Sequence, residues 1–392
     1  MSGFSNKMLR LNKTNILISI EMFILGAATT LVYTSMTFLS QISGISESMS
    51  WVIIAAYALG MVITTLLTGK IVDCFDKRAV IICSLLTLCV GDTIIAFADR
   101  RYAVLAGIIL SGWGFSSSES VSSAFLTDIN AEKAAKWVNL SQIFFCMGAV
   151  ITPTLSAWLT NKNHIDFSVL FGITAATALL AAVMLVLTYT EKGALHGSIF
   201  CDFYKENERF NQFTLLISRK FRILCAEAFL YLCVETMGAS YIKIMLMESG
   251  CSETQSSLAA SLFWALMVCG RLIGCTQSGN ENKSIRFFSL ISVAACVLLA
   301  TARGYITLTL SAALLGFGCG PIWSMIFVLG SKEYPQKSGA AFTVMMLFTD
   351  IAIMISPAAY AGFVNNLHIT FALCAITSLL ILILNHCAET IP

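Results

Sequence analysis

The chain has 392 residues, 57% of them apolar and only 12% Asp, Glu, Lys or Arg. A soluble domain holds about 45–50% and about 25% of these classes, so the composition excludes a soluble protein. The formal charge of +2 gives no basis for nucleic-acid binding.

Twelve apolar stretches lie at about 15–41, 48–68, 79–98, 103–128, 137–160, 167–189, 220–247, 253–276, 284–302, 304–330, 339–365 and 367–387. Each is near the roughly 20 residues that cross a bilayer core. They predict an all-α membrane protein with twelve transmembrane helices in two pseudo-symmetric six-helix bundles, residues 1–189 and 220–392. A cytoplasmic linker at 190–219 joins the bundles, with an amphipathic surface helix expected around Ile199 to Phe213. The first apolar run is too long for a signal peptide and lacks a small-residue cleavage site, so it should remain as a helix. Of the 24 Lys and Arg, all but Arg100, Arg101, Lys162, Lys243 and Arg303 fall on one side of this arrangement. That bias puts both termini in the cytoplasm. The expected location is the cell membrane, with the monomer as the working unit.

In span one, Thr30, Tyr33, Thr34, Thr37 and Gln41 share a face, and Glu21 sits nearer the inner end, where it reads as interfacial. Between spans two and three runs Gly69-Lys70-Ile71-Val72-Asp73-Cys74-Phe75-Asp76-Lys77-Arg78. Asp92 in span three is closer to the outer end and reads as peripheral. Span four contains Gly112-Trp113-Gly114-Phe115-Ser116-Ser117-Ser118-Glu119-Ser120-Val121-Ser122-Ser123. Small residues there favour tight helix packing, but packing does not ask for a carboxylate, which singles out Glu119. Asp128 ends this span. Asn139 and Gln142 open span five.

Spans seven and eight carry groups that a lipid-facing helix does not. Glu227, Tyr231, Glu235 and Lys243 recur in multiples of four, a slowly drifting polar stripe on one helix. Span eight holds Trp264 and ends in Gly270-Arg271-Leu272-Ile273-Gly274. Ionisable residues at membrane depth normally face a bundle interior or watery cavity, so this segment reads as the wall of a solvated path. Trp323 and Asp350 are further buried polar candidates. The halves repeat weakly. Glu21-Met22-Phe23 matches Glu227-Ala228-Phe229 at an offset of 206, and Gly112-Trp113-Gly114 matches Gly316-Phe317-Gly318 at 204. Two such repeats are a common way to build alternating access around a site between them.

These residues carry a resemblance. Phe229-Leu230-Tyr231, Glu235, Phe263-Trp264 and Gly270-Arg271 resemble the seventh and eighth helices of the fucose-permease type of sugar:proton symporter, within the major facilitator superfamily. The 69–78 segment is similar to that superfamily's loop motif G-x-L-A-D-R-x-G-R-[KR], matching at Gly69, Asp73, Lys77 and Arg78 and departing at Cys74 and Asp76. The resemblance implies a gate, with Asp73 near a helix N-terminus of the other half and Lys77 or Arg78 pairing with Asp128. It also implies that Glu119, at or near the acid of span four in such proteins, is a proton site. The acid these proteins carry in span one is replaced by Tyr33.

The sequence reads as a secondary transporter of a small polar solute, a sugar first, coupled to protons. Tyr33, Ser116, Asn139, Gln142, Tyr231, Glu235, Trp264 and Trp323 are the candidate solute contacts. Glu119, Glu235 and Asp350 are the candidates for proton coupling, and Gly69, Asp73, Lys77, Arg78, Asp128 and Arg271 for gating. The alternative is a drug:proton antiporter of the same fold with a more apolar cavity. An organic-anion carrier is disfavoured, because only Lys243 and Arg271 approach the path, both near its ends. No Walker A sequence is present, which argues against ATP-driven transport. The 14 Cys form no CxxC pair and the four His are scattered, so no enzyme, metal site or cofactor is expected. A cysteine-accessibility map should place positions 77, 209 and 337 on the cytoplasmic side. Any of the three facing outward overturns the topology.

Overall fold

A computed structural model describes residues 2–45, 51–163, 165–190, 211–361 and 366–390. Every regular element among them is helical. The first half contains α1 Ser2–Thr34, α2 Met36–Ser43, α3 Trp51–Ile71, α4 Lys77–Phe97, α5 Arg101–Ile129, α6 Ala134–Asn163 and α7 Phe167–Thr190. The second contains α8 Arg219–Glu248, α9 Glu253–Gly274, α10 Glu281–Thr301, α11 Tyr305–Cys319, α12 Ile322–Glu333, α13 Ser338–Ala361 and α14 Leu367–Thr390. The expected surface helix around Ile199 to Phe213 falls mostly outside the described residues. What is described there is a short 3-10 turn, Gln212–Ile217.

Ten segments among the described residues are long and apolar enough to cross a membrane. The two expected spans that fall short are α5, diluted by its hydroxyls and Glu119, and α9, whose apolar part shrinks to Leu258–Gly274. Both are long enough to span at about 1.5 Å per residue. Large side chains such as Leu180, Leu187, Ile306 and Leu310 remain exposed, as a lipid-facing surface requires.

Two expected spans are broken. Span one splits at Ser35. The hydroxyls of Thr30, Thr34 and Ser35 bond back to the carbonyls of Gly26, Thr30 and Leu31, a pattern that bends helices. Span ten splits into α11 and α12 at Gly320-Pro321, where proline has no N–H to continue the ladder.

The chain packs as two compact units. The first comprises Met1–Asn130, Phe144–Thr214 and Pro335–Leu347, and the second Ala131–Ile143, Leu215–Tyr334 and Phe348–Pro392. The first unit therefore includes the start of α13, and the second includes the start of α6. In the first, α5 packs on α3 and α4, and α7 on α4 and α1. In the second, α10 packs on α14 and α11, with α9 against α11 and α8 against α14.

The sequence repeat is visible in the packing. A Cβ on Gly112 would collide with the Tyr57 carbonyl in the first unit, and one on Gly316 with the Phe263 carbonyl in the second. Small residues let membrane helices approach this closely. Gly112→Ala and Gly316→Ala should each destabilise the protein by about 1–3 kcal/mol, the usual cost of overpacking. Thermal unfolding of the detergent-solubilised protein measures this. Unchanged midpoints would refute the close approach.

Candidate functional site

The first unit gathers an aromatic and carboxyl group cluster on α1, α3, α5 and α6. Tyr33 is 37% exposed and meets Tyr57 edge-on, with ring centroids 6.3 Å apart. Tyr57 leans on Phe115 at 5.9 Å, and Phe115 on Phe145 at 6.1 Å. Glu119 is buried on the same helix as Phe115. Tyr57 and Phe145 were not singled out in the sequence, because an aromatic on an apolar helix looks like ordinary core there.

The serines of α5 mostly tie helices together. Ser117 accepts from Ser84 of α4 at 2.7 Å and lies 3.4 Å from Thr68 of α3. Ser118 and Ser122 donate to Glu21 of α1 at 2.6 and 2.8 Å. Ser116 is fully buried. Glu21, expected at the interface, is instead 0% exposed, because α5 offers hydroxyls one turn apart to hold it. Asp92, read as peripheral, is also buried and accepts from Ser111 and Thr174, both at 2.7 Å.

The loop motif builds a charge cluster in the same unit. The Asp73 carboxylate accepts from the backbone N–H groups of Gly339 and Ala340, at 3.1 and 2.8 Å. Those groups open α13, where free N–H donors and the helix dipole favour an anion. Lys77 lies 3.0 Å from Asp73 and 2.5 Å from Asp128, and donates to Ser338 at 3.0 Å. Ser338 in turn donates to Asp128 at 2.6 Å. Of the two basic residues it is Lys77 that reaches Asp128. Arg78 pairs with Asp76 at 3.4 Å, and Asp76 caps α4 through the Arg78 N–H. Asp76, where the superfamily motif has glycine, thus serves as a helix cap. Beside Gly69, the space a Cβ would need is occupied by the Gln212 carboxamide, with Thr343 also close. Gln212 is wholly buried and donates to the Leu66 carbonyl at 3.1 Å.

In the second unit the candidates converge on the break between α11 and α12. The Tyr231 hydroxyl donates to the Cys319 carbonyl at 3.0 Å. Arg271 is 3% exposed, and its Nε donates to the Gly320 carbonyl at 3.2 Å. Arg271 Nη1 donates to both the backbone oxygen and Oε1 of Gln142, at 2.7 and 2.9 Å. Side chains thus take up backbone carbonyls at the break between α11 and α12. Glu235 is half-buried, one turn from Tyr231. Trp264 is half-buried against Phe263, with centroids 5.3 Å apart.

The remaining candidates sit deeper. Trp323 is buried and stacked on Phe327 at 4.2 Å. Asp350 is 0% exposed. Asn139 is also buried, donates to the Ala135 carbonyl at 2.8 Å, and faces Gly274. Among the described residues no three His, Cys, Asp or Glu gather as metal ligands.

The sequence profile of the Major Facilitator Superfamily matches residues 18–357. Multidrug resistance protein 1 of Bacillus subtilis (strain 168) is 22% identical over 318 residues, 78% of this chain and 77% of that protein. The class B tetracycline resistance protein of Escherichia coli is 21% identical over 327 residues, 80% and 79%. Among solved structures, the transporter FucP in its outward conformation superposes with a TM-score of 0.77 at 19% identity, covering 96% of this chain and 99% of that one. FucP is the fucose:proton symporter of E. coli. The proton:xylose symporter XylE, bound to 6-bromo-6-deoxy-D-glucose, superposes at 0.76 with 12% identity, covering 98% and 96%.

The geometry around Asp73 generates a test. Asp73→Asn keeps the shape but removes the charge that faces the α13 N-terminus and Lys77. Transport should slow in a folded, inserted protein by the equivalent of about 1–3 kcal/mol of coupling. Wild-type rates in a well-expressed variant would show that the contact does not gate.

Proposed function

Because the chain belongs to the Major Facilitator Superfamily, a family of transporters rather than enzymes, we propose that it moves a small polar solute, a sugar, by alternating access coupled to protons. The carrying observation is that Tyr33 in the first unit, and Glu235 and Trp264 in the second, keep partial exposure. These are the aromatic and carboxyl groups that stack on a pyranose face and bond its hydroxyls. Glu119 carries the exchangeable proton in the first unit. Asp73, Lys77, Asp128 and Ser338 form the gate contact, which breaks when the solute site opens to the cytoplasm. The same reading puts the protein in the cell membrane with both termini cytoplasmic, the orientation that the distribution of Lys and Arg favours.

A second reading has its own support. Both curated relatives are resistance proteins by name, one for multiple drugs and one for tetracycline. Phe115, Phe145 and Phe263 would equally suit a lipophilic cation exchanged for protons. Counterflow in proteoliposomes separates the two readings, using labelled monosaccharides against a lipophilic cation. Accelerated exchange of a monosaccharide supports the first reading. Exchange of the cation alone replaces it with the second.

The roles of the two carboxyls are separable. Glutamine keeps the shape of a protonated glutamate but cannot cycle a proton. Glu119→Gln should lose pH-driven uptake and retain exchange of the solute at equal pH. Glu235→Gln should depress both modes, because it weakens solute binding. Unchanged pH-driven uptake in both variants would reduce these acids to structural groups.

A further inference from the structure

The second unit holds a carboxyl that this transport reading does not use. Glu227 of α8 is 0% exposed. Its Oε2 accepts from Asn385 Nδ2 of α14 at 3.3 Å. The same Nδ2 also donates to Asn282 Oδ1 of α10 at 3.2 Å. Glu227 Oε1 and Asn385 Oδ1 are buried and have no hydrogen-bond partner among the described residues. Three oxygen-bearing side chains from three helices therefore lie together with two acceptors unused.

The repeat supplies a control within the same chain. Glu21, the counterpart of Glu227 at an offset of 206, is equally buried, but three hydroxyl contacts from Ser118 and Ser122 hold it. Glu227 has one long amide donor in their place. An ionised carboxylate out of water costs several kcal/mol unless donors or a cation replace its hydration. Several basic groups on the same and neighbouring elements are engaged elsewhere, among them Arg222, which donates to the Leu216 and Ile217 carbonyls. Lys332 pairs with Glu281 at 2.6 Å, Lys220 with Glu333 at 3.1 Å, and Arg286 with Glu389. Arg271 is held by Gln142 and Gly320. Lys283 and His386 are exposed near Glu389, and Cys225 is a buried thiol on the same helix.

We propose that Glu227, Asn385 and Asn282 form a site for a small monovalent cation, a proton or a sodium ion. One carboxylate matches one positive charge, and carboxylate and amide oxygens are the ligands a hard cation takes. Glu227 lies eight residues into α8, about 12 Å along it, and Asn282 is the second residue of α10. The site is thus near one end of the unit, where a cation exchanges with water after a small opening. It stands independently of which solute the protein carries.

The test uses purified full-length protein and two readouts. The first is the thermal unfolding midpoint, titrated with sodium against choline at constant ionic strength. The second is the infrared band of protonated carboxyls, followed across pH. A sodium site gives a saturable rise in the midpoint that Glu227→Gln abolishes and Asn385→Ala weakens about tenfold in concentration. A proton site gives no sodium response. It gives instead a carboxyl band that Glu227→Gln removes and whose pH midpoint Asn385→Ala moves by about one unit. Asn385→Ala retains the carboxyl and carries the comparison if Glu227→Gln does not fold. The proposal is overturned if the folded variants match the wild type in both readouts, or if the wild type shows neither response.

Discussion

A backbone polar group inside a bilayer has no water to turn to, and that constraint organises the chain. It forces every spanning segment to be helical, and it sets a price on any interruption of a helix. The break at Gly320-Pro321 shows how the cost is met. Tyr231 and Arg271, from two other helices, donate to the Cys319 and Gly320 carbonyls. The irregular backbone is thereby fixed in place, and the residues that fix it are those the sequence marks as polar intruders. Arg271 does more, since its Nη1 donates to Gln142 at both the backbone and the side chain. A buried guanidinium here donates to several neutral oxygens, a role that suits its fan of donors.

Much of the fold was legible from residue order alone. Apolar run length and Lys/Arg placement need no tertiary information, and they gave the helical membrane class. Of the two expected spans that are too polar to stand out as apolar segments, α5 carries Ser116, Glu119 and Asp128, and α9 carries Trp264 and Arg271. Their polarity is the mark of an interior lining, which the eye reads in sequence more readily than an averaged scale does. The break after Cys319 was missed although Gly-Pro announces it, because the apolar run continues unbroken across it. The break at Ser35 was missed because three ordinary hydroxyls act together only once the helix exists.

Burial was the weaker part of the sequence reading. Glu21 and Asp92 looked peripheral from their distance to the helix ends, yet both are fully enclosed. What encloses them is hydroxyls on other helices, Ser118, Ser122, Ser111 and Thr174. No periodicity within one helix reports a partner that is 97 residues away, as Ser118 is from Glu21. The same blindness hid Gln212. A glutamine in a polar linker carries no signal that its side chain fills the notch beside Gly69.

The contact between Asp73 and the start of α13 also bears on biosynthesis. Its partners are 266 and 267 residues apart in the chain. At about 5–20 residues per second, a ribosome needs roughly tens of seconds to make the intervening polypeptide. During that interval the first six helices are already emerging into the membrane while the Asp73 carboxylate lacks the two N–H groups that receive it. The first unit is therefore completed late and out of sequential order, and a nascent chain halted before residue 339 would display an unfinished acidic notch to the quality-control machinery.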